Sequence, residues 1–161
     1  MNEVTIYQDG SCTRNPGSGG YGVGIKNGNQ RKEISGGYIF TTINRMELLA
    51  AIIGLESLNE PSMVTLFSDS RYLVDGIKLG WAKKWQKNNW YRTRKEKASN
   101  QDLWEILLSL CDKHKVEFHW VRAHNGNKEN ERCDELSYEA AKEIAKAETT
   151  SPKVEINPER I

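Results

Sequence analysis

At Asn44 the hydrophobic period of this chain changes, and that change constrains the fold more than any other feature. Upstream, Val4-Thr5-Ile6-Tyr7 alternates and is rich in β-formers, which predicts a strand running into Asp9. Asn15-Pro16-Gly17-Ser18-Gly19-Gly20 reads as a turn cluster, and Tyr21-Gly22-Val23-Gly24-Ile25 as a second strand. Asn27-Gly28-Asn29 is a hairpin signal, and residues 31–40 complete a three-stranded antiparallel meander. Downstream, Met46, Leu48, Leu49, Ile52, Ile53, Leu55 and Leu58 form a helical stripe that ends before Pro61.

The second half alternates strands with helices. Met63-Val64-Thr65-Leu66-Phe67 is a short apolar run suited to a strand buried on both faces. Helices are predicted over 71–77, 101–113 and 128–146, with one more strand over 116–121 and a loop at 123–127. Crossover helices make the later strands parallel, so the expectation is an α/β fold: a mixed five-stranded sheet with helices on both faces. At 161 residues there is room for one domain, placed at 1–147, with a loose tail over 148–161.

A formal charge of +1 hides a lopsided distribution. Residues 78–97 read KLGWAKKWQKNNWYRTRKEK, with eight basic residues against Glu96 alone, a local net of +7 that leaves −6 for the remainder. Trp81 and Trp85 share a helical face in this arm, beside Lys83, Lys84 and Lys87. Indoles can pack on sugars or bases while ammonium groups neutralise phosphates, so a polyanion gripped by one region is expected; a solvated amphipathic helix is the plainer alternative. No run approaches the ~18 apolar residues of a membrane span, and the N-terminus lacks a signal-like segment. Cys12, Cys111 and Cys133 are odd in number and widely spaced, which excludes a zinc ribbon or disulfide scaffold and points to a reducing, cytoplasmic setting.

Gly17-Ser18-Gly19-Gly20-Tyr21-Gly22 matches G-x-G-x-x-G, but a strand follows it where a dinucleotide site needs a helix. These glycines are expected instead to shape a turn and to let another segment approach the backbone.

Four acids fall at the ends of elements: Asp9 after the first strand, Glu47 one turn into the first helix, Asp69 after the buried strand, and Asp134 early in the last helix. Each has a plain structural reading. Asp9-Gly10 is a turn pair, Asn44-x-x-Glu47 a capping box, Asp69 or Ser68 a helix cap, and Asp134 one acid among several. Gathered in one crevice they would repel, unless cations neutralise them. An all-oxygen set suits Mg²⁺ or Mn²⁺, and a pair of such ions about 3.5–4 Å apart supports in-line displacement at phosphorus. His124, in a glycine-containing loop upstream of Asp134, is placed to handle a proton, whereas His114 and His119 read as structural.

Taken together, Tyr7-Gln8-Asp9-Gly10-Ser11-Cys12, Asn15-Pro16-Gly17, Thr41-Thr42-Ile43-Asn44-Arg45-Met46-Glu47-Leu48, Ser68-Asp69-Ser70 and His124 with Glu129-Asn130-Glu131-Arg132-Cys133-Asp134-Glu135-Leu136 resemble the bacterial ribonuclease HI family. The likeness runs in order over residues 3–145. It implies a ribonuclease H-like sheet and an endonuclease that cuts the RNA strand of an RNA–DNA hybrid, leaving 5′-phosphate and 3′-hydroxyl ends. It further implies a monomer with no obligate protein partner. Asp9, Glu47, Asp69 and Asp134 match the family's metal ligands, two ions being expected with substrate bound, and His124 its mobile histidine. The arm matches the substrate-binding protrusion, with Trp81 and Trp85 beside the DNA strand. Thr42 and Asn100 match a DNA-phosphate pocket, and Cys12, Asn15 and Asn44 the contacts to the minor groove and ribose hydroxyls, the groups that mark a strand as RNA. Three positions depart from the pattern: Ile43 where Asn is frequent, Phe40 where the pocket has Arg, and Arg71, which adds a charge near the hybrid, where Gln is common.

Overall fold

The computed structural model describes residues 1–150 and, for side chains, residues 1–147. Three long strands open the chain: β1 (Asn2–Cys12), β2 (Gly17–Asn27) and β3 (Gln30–Thr41). There follow α1 (Ile43–Glu56), β4 (Ser62–Ser68), α2 (Arg71–Lys78), α3 (Trp81–Lys87), α4 (Gln101–Lys113), β5 (Lys115–Trp120) and α5 (Lys128–Thr150). The sheet order is β3-β2-β1-β4-β5, with the meander antiparallel and β1, β4 and β5 mutually parallel. This is the expected five-stranded mixed sheet. Among the described residues no helix is long and apolar enough to cross a membrane.

Strand pleating divides β1 between two layers. Ile6 faces α1, where it and Val23 of β2 come within 3.4 Å of a Cβ built at Gly54. Ser11 faces the opposite way, with its Oγ 2.6 Å from Ser137 Oγ on α5. Helix α4 packs against α1 on the first face, and its Leu103, Trp104 and Leu107 are fully buried. Helix α5 covers β1, β2 and β3 on the other.

Several expectations need correction. Residues Gly17 to Gly20 are not a turn but the start of β2, paired with β1 across Ser11↔Gly20 and Cys12↔Gly19. Close approach is the correct half of the glycine reading. A Cβ at Gly22 would lie 2.4 Å from the carbonyl oxygen of Cys133, so α5 rests its backbone directly on β2. The last helix is longer than expected and reaches Thr150. Of the tail placed at 148–161, residues 151–161 lie outside the described residues.

That backbone contact sets how far Asp134, one residue after Cys133, reaches toward the sheet. Gly22→Ala should therefore cost about 1–3 kcal/mol of stability through overpacking, read as a lower urea midpoint at unchanged slope.

Candidate active site

Strand β1 and helix α1 meet through a glycine. The N–H of Gly10 is donated both to Asp9 Oδ1 at 2.9 Å and to Glu47 Oε1 at 3.0 Å. A Cβ on Gly10 would stand 2.6 Å from the backbone nitrogen of Glu47, so only glycine lets the strand come this close. Buried Gln8 adds a second tie, its Nε2 donating to the Glu47 carbonyl at 3.1 Å. The capping-box reading of Asn44 and Glu47 is not met. Thr42 caps α1, its Oγ1 accepting from Arg45 N at 3.1 Å. The helix thus begins at Ile43, and Glu47 lies beyond the first turn, facing β1.

Asp69 is likewise free of capping duty. Ser70 caps α2 by accepting from Leu73 N, and Ser68 Oγ accepts from Ser70 N at 3.0 Å. The Asp69 side chain is left for the crevice, while its carbonyl accepts from Trp120 Nε1 at 3.0 Å. Carboxylate oxygens of Asp9, Glu47 and Asp69 all lie within 4.8 Å of one another. Asp134 on α5 is near enough to hydrogen-bond Asp9 and to act by charge on Asp69. His124 projects from an exposed loop in a left-handed conformation (φ 55°), and its charge also acts on Asp69.

Burial raises the affinity of all three central acids for protons. It pushes Asp9 up to about 7, opposed by the hydrogen bond with Glu47 and reinforced by the charge of Asp69. Glu47, 4% exposed, is driven well above the carboxylate range by burial and then by the Asp9 charge. Asp69 is raised by burial as well, with a hydrogen bond from Asn130 and the charge of His124 partly offsetting it. Glu47 Oε2 is buried without a hydrogen-bond partner, an acceptor held in place with nothing to accept. Converging carboxylates, one orphaned oxygen and an all-oxygen donor set fit a hard divalent cation.

Several residues assigned to nucleic-acid contact are tied to the start of α1, the helix that carries Glu47. Asn15 Oδ1 accepts from Ile43 N at 3.1 Å, which ties the β1–β2 loop to the start of α1. Cys12 is the last residue of β1 and Asn44 the second of α1. Arg45 spans the next gap: it donates to Asn100 Oδ1 at 3.1 Å and grips Asp102 with two nitrogens. Thr42 and Asn100 are thereby drawn to one end of the sheet. Phe40 and Ile43 flank Thr42 as exposed apolar side chains, at 53% and 38%.

The basic arm contains α3, with Trp81, Lys83, Lys84 and Lys87 exposed. Trp85 turns inward, edge-on to the buried Trp104, and Trp90 is core. A cavity of 490 Å³ lined by Tyr72, Trp81, Lys84, Trp85 and Tyr91 runs beside them. His114 fills a structural place, its Nδ1 accepting from Ser62 N, and His119 stacks on Phe67. The sequence reading did not single out Asn130, Arg45 or Tyr72. Asn130 had a signal in its placement four residues before Asp134, on the same helical face; the other two act only through tertiary contacts.

A family model described as RNase H matches residues 1–142. A ribonuclease H of Trichodesmium erythraeum (strain IMS101) is 57% identical over 142 residues, covering 88% of this chain and 90% of that protein. Ribonuclease HI of Synechocystis sp. is 59% identical over 140 residues, covering 86% and 88%. Among solved structures, LC9-RNase H1, described as a type 1 RNase H with the type 2 active-site motif, superposes with a TM-score of 0.80 at 26% identity, covering 98% of this chain and 88% of that one. LC11-RNase H1 in complex with RNA/DNA hybrid shares the fold, with a TM-score of 0.63 at 21% identity over 88% and 99% of the two chains.

The raised acids set a sign for the metal-free protein. A carboxyl whose folded pKa exceeds its unfolded value favours the folded state less as pH climbs, here between 3.8 and about 7 for Asp9. Asp9→Asn keeps the acceptor for Gly10 N–H and removes the charge. Without metal at neutral pH it should be more stable than the parent by about 1–3 kcal/mol, several degrees in Tm. The gain should shrink toward pH 4, and added Mg²⁺ should stabilise the parent far more than the variant; calorimetry with and without chelator reads all three.

Proposed function

Because the chain belongs to the ribonuclease H family, on its bacterial ribonuclease HI branch, we propose that it hydrolyses the RNA strand of RNA–DNA hybrids. In this reading Asp9, Glu47, Asp69 and Asp134 hold divalent ions, Mg²⁺ with Mn²⁺ as a substitute and two ions with substrate bound. The observation that carries it is the mutual approach of three carboxylates, Asp9 and Glu47 buried and Asp69 half-buried, from β1, α1 and the end of β4. A protein that only bound hybrids would gain nothing from anions beside phosphate.

Bound divalent ions supply charge neutralisation and Lewis acidity for in-line attack of water at phosphorus. The chain's own residues do the rest. The shared Gly10 N–H fixes the Asp9 and Glu47 oxygens in register, and the caps at Thr42 and Ser70 keep Glu47 and Asp69 out of competing helix-end bonds. An imidazole nitrogen of His124 hands a proton to the departing 3′ oxygen, which leaves a 3′-hydroxyl and a 5′-phosphate. Cys12, Asn15 and Asn44 read ribose hydroxyls, Thr42 and Asn100 hold a DNA phosphate, and Trp81, Lys83, Lys84, Trp85 and Lys87 seat the duplex. A monomer acting in the cytoplasm completes the reading, supported by the three free thiols.

The direct test is a gel assay on a labelled RNA–DNA hybrid beside duplex RNA and duplex DNA. The parent should cut only the RNA of the hybrid, with Mg²⁺ and not with chelator, and Asp69→Asn should abolish cleavage while hybrid binding persists. Parent-like turnover by Asp69→Asn would overturn the metal assignment. Replacing Lys83, Lys84 and Lys87 by Ala should weaken hybrid binding and reduce the slope of log K against log salt by up to about 3; an unchanged slope would return the arm to a solvated helix.

A further inference from the structure

Arg71 is an exposed cation that pairs with no anion among the described residues. It is the first residue of α2, two positions after Asp69. Positive charge at a helix N-terminus opposes the helix dipole, so the position is electrostatically poor for arginine. Among the described residues it makes no hydrogen bond or ion pair. Its contact is aromatic: the guanidinium carbon sits 3.8 Å from the centroid of the Trp120 ring. A stacked guanidinium keeps its N–H edge directed away from the ring, as a planar fork for paired oxygens.

Trp120 is bound at its other end to the acidic site. Its Nε1 donates to the Asp69 carbonyl at 3.0 Å, and the residue closes β5 opposite Ser68. One half-buried indole therefore fixes the backbone of a carboxylate and carries an exposed cation on its face.

We propose that Trp120 is a positioning residue that holds Arg71 as a preorganised fork for a phosphate of the RNA strand next to the one being cut. The inference rests on the hybrid-cleavage reading above. The ligand chemistry follows from the group: five donors, permanent charge and no partner among the described residues match non-bridging phosphate oxygens better than a neutral hydroxyl. Placement follows from the chain, since the fork is anchored to the same indole as Asp69. Lysine, a point charge without a planar face, would not replace it.

Steady-state cleavage of a labelled hybrid across a salt series, with Arg71→Ala, Arg71→Lys, Trp120→Phe and Trp120→Leu, tests this. Arg71→Ala should raise KM about tenfold, change kcat less, and lower the salt slope of binding by about one. Arg71→Lys should recover the slope but not the KM. Trp120→Phe keeps a ring beneath the guanidinium and loses the N–H, so it should lower kcat with the slope intact. In a Trp120→Leu background, Arg71→Ala should add little, because the fork is already unmoored. Parent-like KM and slope in Arg71→Ala would overturn the proposal, as would fully additive effects of Arg71→Ala and Trp120→Leu. Should Trp120→Leu not fold, the Arg71 and Trp120→Phe variants decide alone. A parent that fails to cut the hybrid would instead overturn the functional reading, which keeps the two failures apart.

Discussion

One backbone N–H, that of Gly10, stands between two buried carboxylates and bonds to both. The rest of the crevice depends on that sharing. Burying an ionised carboxylate costs several kcal/mol, and burying two side by side costs more. The fold meets the cost through packing remote from the charges: α1 is driven onto β1 by Met46, Leu48, Ile52 and Leu55, all essentially inaccessible to water. Glu47 follows from the register of those neighbours. The glycines at 10 and 22 then let α1 and α5 approach the sheet to backbone contact, which brings acids from separate elements within reach of one another. Stability made in the core is spent at the rim, as is common at functional sites.

Charge is distributed with the same economy. The arm carries a net of +7 on a chain whose remainder sums to −6, so attraction for a polyanion is concentrated in the arm. Attraction at the arm would be of little use if the arm were free to wander. A chain of contacts holds it in place: Arg45 to Asn100, Asn100 Nδ2 to the Tyr72 hydroxyl, and Trp104 Nε1 to that same hydroxyl. Trp85 of α3 meets Trp104 edge-on and closes the series. Since Arg45 is two residues from Glu47, the orientation of the arm and that of a central acid are fixed by one helix.

Much of the architecture was legible because hydrophobic period reports which face of an element is buried, and each face here is buried against a different layer. The helix starts were less legible. Thr42 and Asn44, or Ser68, Asp69 and Ser70, are all competent caps, and sequence chemistry does not rank them. The choice is made by where the preceding strand ends, a tertiary outcome, and a shift of two residues decides whether Glu47 serves a helix end or the crevice. The run Gly17 to Gly20 misled for a related reason. Glycine-rich sequence signals freedom from side-chain clashes, which a tight turn and a strand under a closely packed helix both require. Arg71 reads from sequence as an added charge, but nothing in the sequence sets Trp120 apart from other strand aromatics. Its two-ended role exists only once β4 and β5 are paired.

Preorganisation links these observations. Asn100 adopts a left-handed backbone (φ 65°) and has both ends of its amide engaged, by Arg45 and by Tyr72. A side chain so held loses little entropy on meeting a ligand, and its interaction is correspondingly more useful. The same holds for Arg71 on its indole. The exposed apolar side chains of Phe40 and Ile43 offer no polar contact at this end of the sheet. With fewer groups available, affinity at that end depends more on each remaining one being fixed in advance. Rigid polar side chains beside an open apolar surface are what such a compensation requires, and Asn100, tied to Arg45 of α1, and exposed Ile43 of the same helix supply both.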